Sequence, residues 1–441
     1  MAIKRYNVKF SLLPAMDLAV APLVALLAYI LFHLKGIGMV RDGAALWEGA
    51  VSLTLGHGYV YFTGHDVIAW PPLYSLYMAL WIIPLGPTGW SLLLSNGFLI
   101  VLQAYLWSGL MRTLARDSGI SMSAFPSFVL SLILGLFIAV NQRAVLSYNL
   151  LYAVLPLYIG VLWHCFYAKD APVKSPGMVS MLGTALLLTH NIAFAFIMAG
   201  SLVMLMTQAK VKQSLMSTIL TLGSTLGLTL CVPIVIWQAV RALCRQTGSH
   251  YVGLGAGKHE PMEYAYQLLD SPGRLLMFKL QIGSIDTAVA AALLLLLVVL
   301  LMCFNRRVTA LHFSVFFVSV SLAGVYVLFN ITWIYSGISS TYIFFAPLVL
   351  VPVAYMTAIS LKLRFATFAA AVLTLIPQLY WTSMWTIGQY KSTLAELDFP
   401  KSFVTPESCI SPTYQSGPPV KAPCGLLISS NTGEEPRGRR I

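Results

Sequence analysis

Long apolar runs separated by short polar connections dominate this chain. A helix needs about 20 apolar residues to cross a bilayer, and the hydropathy pattern predicts about eleven such segments, within a range of about 10 to 13. The pattern therefore predicts an all-α, polytopic transmembrane bundle over residues 1–387. The predicted spans are Leu18–Leu34, Pro72–Leu85, Trp90–Leu110, Phe125–Val140, Leu150–Tyr167, Met178–Met206, Leu215–Val240, Thr287–Phe304, Leu311–Phe329, Tyr342–Leu361 and Phe365–Ile387.

Two long polar loops and a polar tail interrupt the apolar pattern. The first loop covers residues 35–70 and the second covers residues 242–286. Residues 388–441 are rich in Pro, Ser and Gly, a composition typical of irregular structure. If the basic N-terminus lies in the cytoplasm, the span count places both loops and the tail on the extracytoplasmic side.

The positive-inside rule agrees with this orientation at some connections and disagrees at others. Arg306 and Arg307 fall on the cytoplasmic side, as the rule expects. The basic residues of two other connections fall outside, namely Arg112, Arg116, Lys169 and Lys174. The doubtful element is Met178–Met206, which is long for one span and contains Thr189-His190-Asn191. We count it as one span, because dividing it would put the two long loops on opposite sides.

Composition supports a lipid environment and argues against a nucleic-acid partner. The chain is 58% hydrophobic and 10% charged, with a mean hydropathy of +0.79, whereas soluble domains carry about 25% charged residues. The net charge of +12 fits basic cytoplasmic connections and a lipid phosphate at a site, since no basic helix or aromatic-basic platform is present. None of the six cysteines pair at metal-site spacing. The short loops favour a bacterial inner membrane.

The first loop has the pattern of a short amphipathic helix followed by a turn. Asp42 is a suitable N-cap for a helix over Gly43–Leu55. Leu46, Gly49, Ala50 and Leu53 share one face of that helix, as in a helix that lies along a membrane interface. Gly56 and Gly58 are expected to end it.

This arrangement places a carboxylate at the boundary between water and lipid. A transferase that uses a polyprenyl-phosphate sugar needs a base at that position, because the acceptor hydroxyl must lose its proton as it attacks the anomeric carbon. The activated sugar arrives on the lipid, so no nucleotide-binding domain is required. Asp42 is the candidate base.

The loop also resembles the opening loop of the GT-C superfamily of membrane glycosyltransferases. The resemblance is to the bacterial branch that is similar to protein mannosyltransferases and aminoarabinose transferases. The matching residues are Asp42, Trp47, Ala50, Gly56-His57-Gly58-Tyr59 and Trp70-Pro71-Pro72-Leu73-Tyr74. The resemblance implies a GT-C-like fold, Asp42 as catalytic acid/base residue, and a polyprenyl monophosphate sugar as donor. Where many relatives carry arginines, this chain has Thr189-His190-Asn191 and Ser340-Thr341-Tyr342.

Further polar residues are candidates for supporting roles. Asp66 is a candidate second acid, whereas Glu48 is expected to face solvent. His57 and His65 are candidates for contacting phosphate or a divalent cation, and a metal is possible but not required. His190 and Tyr342 are additional candidates, with Tyr148-Asn149 flanking a span. The donor phosphate is expected to bind cations of the second loop, with Arg274 preferred because arginine binds phosphate bidentately: Lys258, His259, Arg274 and Lys279.

Two other functions compete with sugar transfer. A transporter or flippase predicts broken helices and polar residues near the middle of the bilayer, which His190-Asn191 could provide. A non-catalytic membrane scaffold would use Asp42 only as a helix cap. Under the transferase hypothesis the partners are the lipid-linked donor, membrane lipids, and a glycan, lipid or protein acceptor.

Overall fold

The described part of the structure, a computed structural model, is helical apart from one short strand pairing. It comprises residues 15–33, 37–38, 41–59, 71–141, 145–167, 176–190, 192–210, 215–243, 310–318, 320–321, 346–360 and 403–404. The predicted all-α class is thus confirmed for these residues. The helices are α1 (Ala15–Phe32), α2 (Arg41–Thr54), α3 (Leu73–Leu85), α4 (Gly89–Asp117), α5 (Ala124–Asn141), α6 (Tyr148–Tyr167), α7 (Pro176–Thr189), α8 (Ala193–Lys210), α9 (Leu215–Leu243), α10 (310–318) and α11 (Ala346–Ser360).

Two of the described helices are long and apolar enough to cross a membrane, judged by length and composition: Gly89–Asp117 and Tyr148–Cys165. The apolar stretches found in the other described helices are shorter, such as Ala19–Phe32 in α1 and Ile219–Val232 in α9. The outer surface carries stripes of large apolar side chains, and on α1 these recur at Leu23, Leu27 and Ile30. Such stripes are expected where lipid is the solvent. The predicted spans Thr287–Phe304 and Phe365–Ile387 lie outside the described residues.

Local sequence determines where α2 ends. Gly56 has φ +77°, a left-handed conformation that favours glycine. The amide of His57 donates to the carbonyl of Ser52 (3.0 Å) and the amide of Gly56 donates to that of Leu53 (3.2 Å). This is a Schellman motif, which satisfies carbonyls at the end of the helix. The expectation that glycine ends this helix is confirmed.

The chain reverses direction within the predicted span Met178–Met206, so the one-span prediction was wrong. α7 ends at Thr189 and α8 begins at Ala193. A Cβ placed on Gly183 would lie 3.6 Å from Cγ1 of Ile197, whereas residues 14 apart in one straight helix are separated by about 21 Å. α7 and α8 therefore form a hairpin with its tip at His190. Hydropathy does not distinguish a long span from two shorter helices joined by polar residues.

Hydrogen bonds between helices establish their relative directions. Gln103 donates to the carbonyl of Asn149 (2.6 Å), and Trp163 donates to the carboxylate of Asp117 (3.0 Å). Residue numbers rise together along both helices, so α4 and α6 run parallel. α5 connects the end of α4 to the start of α6 and must run in the opposite direction.

The same reasoning gives the relative direction of α7 and α9. Ser180 donates to the carbonyl of Thr225 (3.0 Å), and Gly183 lies against Thr229. α7 and α9 are thus parallel to each other. Since α8 folds back on α7, α9 ends on the side where the α7–α8 tip lies.

α3 lies beside the first part of α4 rather than along its full length. The hydroxyl of Tyr74 donates to Asn96 (2.8 Å), and the hydroxyl of Tyr77 donates to the carbonyl of Ser95 (2.7 Å). α3 has 13 residues, a length of about 20 Å, whereas the apolar core of a bilayer is about 30 Å thick. The two hydrogen bonds place the N-terminal end of α3 level with Asn96, near the start of α6.

One short strand pairing joins the tail to the first loop. Ile37–Gly38 (β1) pairs antiparallel with Phe403–Val404 (β2). The predicted irregular tail therefore contains at least one ordered contact. This contact places residues 403–404 on the same side as α2.

Substitution of Gly56 should destabilise the protein through its backbone conformation alone. A Cβ at Gly56 has no atom within 4 Å, so Gly56→Ala is expected to cost about 1 kcal/mol from the left-handed conformation. Gly109 also has no atom within 4 Å of an added Cβ but lies inside α4. Gly109→Ala should instead be neutral or stabilise by about 0.5–1 kcal/mol. Unfolding of the purified variants in detergent measures both effects, and equal destabilisation by both would contradict this explanation.

Candidate functional site

α2 is enclosed by the protein, in contrast to the expected interfacial helix with one solvent-facing side. Leu46, Ala50 and Val51 are fully buried, and so is Glu48, at 0% exposure. The expectation that Glu48 faces solvent was therefore wrong. Asp42 is described through its backbone and lies in the first turn of α2, because the helix begins at Arg41, one residue before the predicted cap.

Three contacts hold α2 in place. The hydroxyl of Ser75, on α3, donates to the carbonyl of Leu46 (2.8 Å) and lies 3.2 Å from the hydroxyl of Tyr59. The ring of Tyr59 packs against Gly49, where a Cβ would overlap it. Gly43 lies against the backbone carbonyl of Val145, just before α6. The first turn of α2, and with it the backbone of Asp42, is thus held at the start of α6.

A buried amide network fixes α3, α4 and α6 at the same level. We define it as Tyr74, Asn96, Gln103 and Asn149, all of which are buried. Oδ1 of Asn96 accepts the hydroxyl of Tyr74 (2.8 Å) and Nδ2 of Asn149 (2.7 Å). Nδ2 of Asn96 donates to the carbonyl of Leu92 (2.9 Å), and Gln103 donates to the carbonyl of Asn149. Amide side chains can form several such bonds at once, which allows one residue to join three helices.

His190 forms the tip of the α7–α8 hairpin and packs on the start of α6. Its ring stacks on Tyr148, with the two ring centres 4.3 Å apart. Nδ1 of His190 accepts the amide of Ile192 (3.0 Å), the residue immediately before α8, and so closes the turn between the two helices. A nitrogen that accepts a hydrogen bond carries no proton, so in the neutral ring the proton is on Nε2. The hairpin tip is thereby anchored beside the amide network.

Four candidates from the sequence thus meet at the start of α6: the backbone of Asp42, together with Tyr148, Asn149 and His190. We call these four residues the cluster. His57 lies at the other end of α2 and is exposed, so the structure does not bring it to this cluster. The remaining candidates lie outside the described residues: Asp66, His65, Lys258, His259, Arg274, Lys279, Tyr342 and Asn191.

Sequence reasoning missed several buried polar groups in this region. Asn96 and Gln103 stood within a predicted span, and a polar amide in an apolar segment is itself a sign of a structural or functional role. Trp47 is nearly fully buried, and its indole N–H has no hydrogen-bond acceptor among the described residues. The described ranges contain no group of three or more His, Cys, Asp and Glu side chains that could hold a metal ion.

Comparisons with protein-family models, curated proteins and solved structures found no match to this chain. Function must therefore be inferred from the residues and their geometry.

Replacing His190 should loosen the hairpin tip in two separable ways. His190→Ala removes the hydrogen bond from the amide of Ile192, worth about 0.5–1.5 kcal/mol, and the contact with Tyr148, worth about 0.5–1.5 kcal/mol. His190→Asn retains an acceptor for the amide of Ile192 and should lose mainly the stacking contribution. Denaturant unfolding of both variants in detergent tests this, and no difference between the Asn and Ala variants would argue against a stabilising role for the bond to Ile192.

Proposed function

We propose that the chain is a membrane glycosyltransferase that moves a sugar from a polyprenyl-phosphate donor to an acceptor hydroxyl, with Asp42 as the base. The observation that carries the proposal is the anchoring of the first turn of α2 at the start of α6. The backbone that carries the Asp42 carboxylate is held by the Gly43–Val145 contact. Holding a general base in a fixed position favours catalysis, because proton transfer depends on geometry.

The helix directions support a membrane topology in which this cluster lies on the extracytoplasmic side. In the proposed topology α1, α4, α5, α6, α7, α8 and α9 each cross the membrane, while α2 and α3 do not. Seven crossings precede the second loop, so that loop lies on the same side as the first. The eleven-span count also placed both loops on one side, because its two differences from the proposed topology, at α3 and at the α7–α8 hairpin, cancel.

The distribution of basic residues agrees with this topology. The side opposite the cluster contains the N-terminus, the end of α4 and the α6–α7 and α8–α9 connections. Nine basic residues fall there: Lys4, Arg5, Lys9, Arg112, Arg116, Lys169, Lys174, Lys210 and Lys212. The cluster side has three basic residues before α9, Lys35, Arg41 and Arg143, and a fourth, Arg241, in the last turn of α9. Both exceptions to the positive-inside rule disappear, which favours the basic side as cytoplasmic.

The proposed reaction needs only one proton acceptor from the protein. The carboxylate of Asp42 takes the proton of the acceptor hydroxyl, and the resulting oxygen attacks the anomeric carbon of the sugar. The bond between that carbon and the phosphate oxygen breaks, and the electron pair leaves with the polyprenyl phosphate. Attack from the face opposite the leaving group inverts the configuration at the anomeric carbon. The products are the glycosylated acceptor and polyprenyl phosphate.

The donor phosphate is proposed to bind basic residues of the second loop. α9 ends on the cluster side, so the chain that follows it begins there. Arg274 remains the preferred contact, with Lys258, His259 and Lys279 as further candidates. A divalent cation is a possible addition.

One observation favours a different function. The α7–α8 hairpin interrupts an apolar run at His190, and discontinuous helices with polar tips form substrate sites in transporters. The loss of transfer in an Asp42 variant would distinguish the two functions, because a transporter does not need a base at that position.

Asp42→Asn should abolish sugar transfer while leaving the fold intact. The amide is similar in size to the carboxylate but cannot accept the proton, and loss of a general base lowers the rate by about 100- to 10,000-fold. The assay measures release of polyprenyl phosphate by purified protein in lipid, offered a panel of polyprenyl-phosphate sugars and acceptors. The control is Asp117→Asn, which makes the same chemical change at the C-terminal end of α4, on the side opposite the proposed site. It should keep wild-type turnover.

Equal turnover by wild type and Asp42→Asn would move the base elsewhere, with Asp66 the next residue to replace. Absence of turnover by wild type across the panel would count against the transferase and favour transport assays.

The proposed topology makes a prediction that the eleven-span count does not share. Ser121, which is exposed between α4 and α5, should be cytoplasmic, whereas His57 should be extracytoplasmic. Single cysteines at these positions, with the native cysteines replaced by serine, can be labelled in intact cells with a membrane-impermeant maleimide. Only His57→Cys should react before permeabilisation. Reaction of Ser121→Cys in intact cells would contradict the topology and restore α3 as a span.

A further inference from the structure

The amide network joins the elements that form the site. Asn96 lies between α3 and α6, with Tyr74 on one side and Asn149 on the other, and both bond to the same oxygen. Gln103 adds a second bond from α4 to the first turn of α6. Hydrogen bonds in such apolar surroundings are directional and depend strongly on their partners. Together with the bonds from Trp107 to the carbonyl of Tyr152 (2.9 Å) and from Trp163 to Asp117, the network fixes how far α6 is shifted along α4.

The position of α6 determines two contacts at the site. Val145, against which Gly43 packs, lies three residues before α6 begins. Tyr148, on which His190 stacks, is the first residue of α6. A shift of α6 along α4 would move both contacts together, and with them the first turn of α2.

We propose that Tyr74, Asn96 and Asn149 are positioning residues for the transfer reaction. They act through the start of α6, which sets the place of Asp42 and of the α7–α8 tip. This inference rests on the proposed transferase function. None of the three residues has to touch the donor or the acceptor.

The structure provides a matched pair of substitutions. Tyr74 and Tyr77 are both on α3, and each donates one hydroxyl hydrogen bond to α4, at 2.8 Å and 2.7 Å. The acceptor of Tyr74 is Asn96, which also binds Asn149. The acceptor of Tyr77 is the carbonyl of Ser95, which is part of the backbone of α4. Tyr74→Phe and Tyr77→Phe therefore each remove one bond from α3 to α4. The hydroxyl of Tyr74 also bonds to the backbone of Leu146 and to the side chain of Asn149, so only Tyr74→Phe alters the link to α6.

The first test follows hydrogen exchange of the full-length protein in lipid nanodiscs. Tyr74→Phe should speed exchange in a peptide covering residues 145–152, which includes the first turn of α6. Tyr77→Phe should leave that peptide unchanged. This readout does not depend on sugar transfer, so it remains informative if wild type shows no turnover and the proposed function fails. Equal exchange in both variants would overturn the inference.

The second test separates positioning from general stability. Tyr74→Phe should lower kcat by about 10- to 100-fold, the size expected for a small misplacement of a catalytic group, with KM for the donor within about twofold of wild type. Tyr77→Phe should stay within about twofold of wild type in both constants. Faster exchange in Tyr74→Phe with unchanged kcat would also overturn the inference, because the network would then only hold the helices together.

Discussion

The contact between Gly43 and the backbone of Val145 is the constraint on which the site depends. A side chain at position 43 would overlap the carbonyl of Val145, so the close approach of α2 to the start of α6 requires glycine. This contact brings the residue after Asp42 directly against the segment that leads into α6. The contact thereby fixes α2, a short helix within a polar loop, relative to the helix bundle.

The surrounding packing strengthens this constraint with polar rather than apolar contacts. Ser75 holds the carbonyl of Leu46, and the amide network holds α6 at a defined height on α4. His190 fastens the hairpin tip to Tyr148. Between apolar helices, hydrophobic contacts tolerate sliding, whereas hydrogen bonds between specific groups define one register. These polar contacts can therefore position the site although the bundle as a whole is apolar.

The C-terminal end of α2 and its glycine turn could be predicted because the signals are local, whereas the helix begins at Arg41, one residue before the predicted cap. Gly56 and Gly58 dictate the turn through their own backbone conformations. The burial of Glu48 could not be predicted, because periodicity identifies a polar face but not the neighbours that cover it. The hairpin at His190 was also missed, since hydropathy averages over the polar triplet that breaks the helix. The convergence of Asp42, Tyr148 and His190 depends on tertiary contacts between segments that are far apart in sequence.

The most direct test of the site's location is photo-crosslinking of the protein in lipid nanodiscs with a polyprenyl phosphate that carries a photoreactive group beside the phosphate. The modified peptides are identified by mass spectrometry, with excess unlabelled polyprenyl phosphate as competitor. Competed labelling within residues 41–54, 145–152 or 189–193 is the predicted result. Competed labelling confined to the opposite side, such as the α4–α5 connection, would contradict the proposed site.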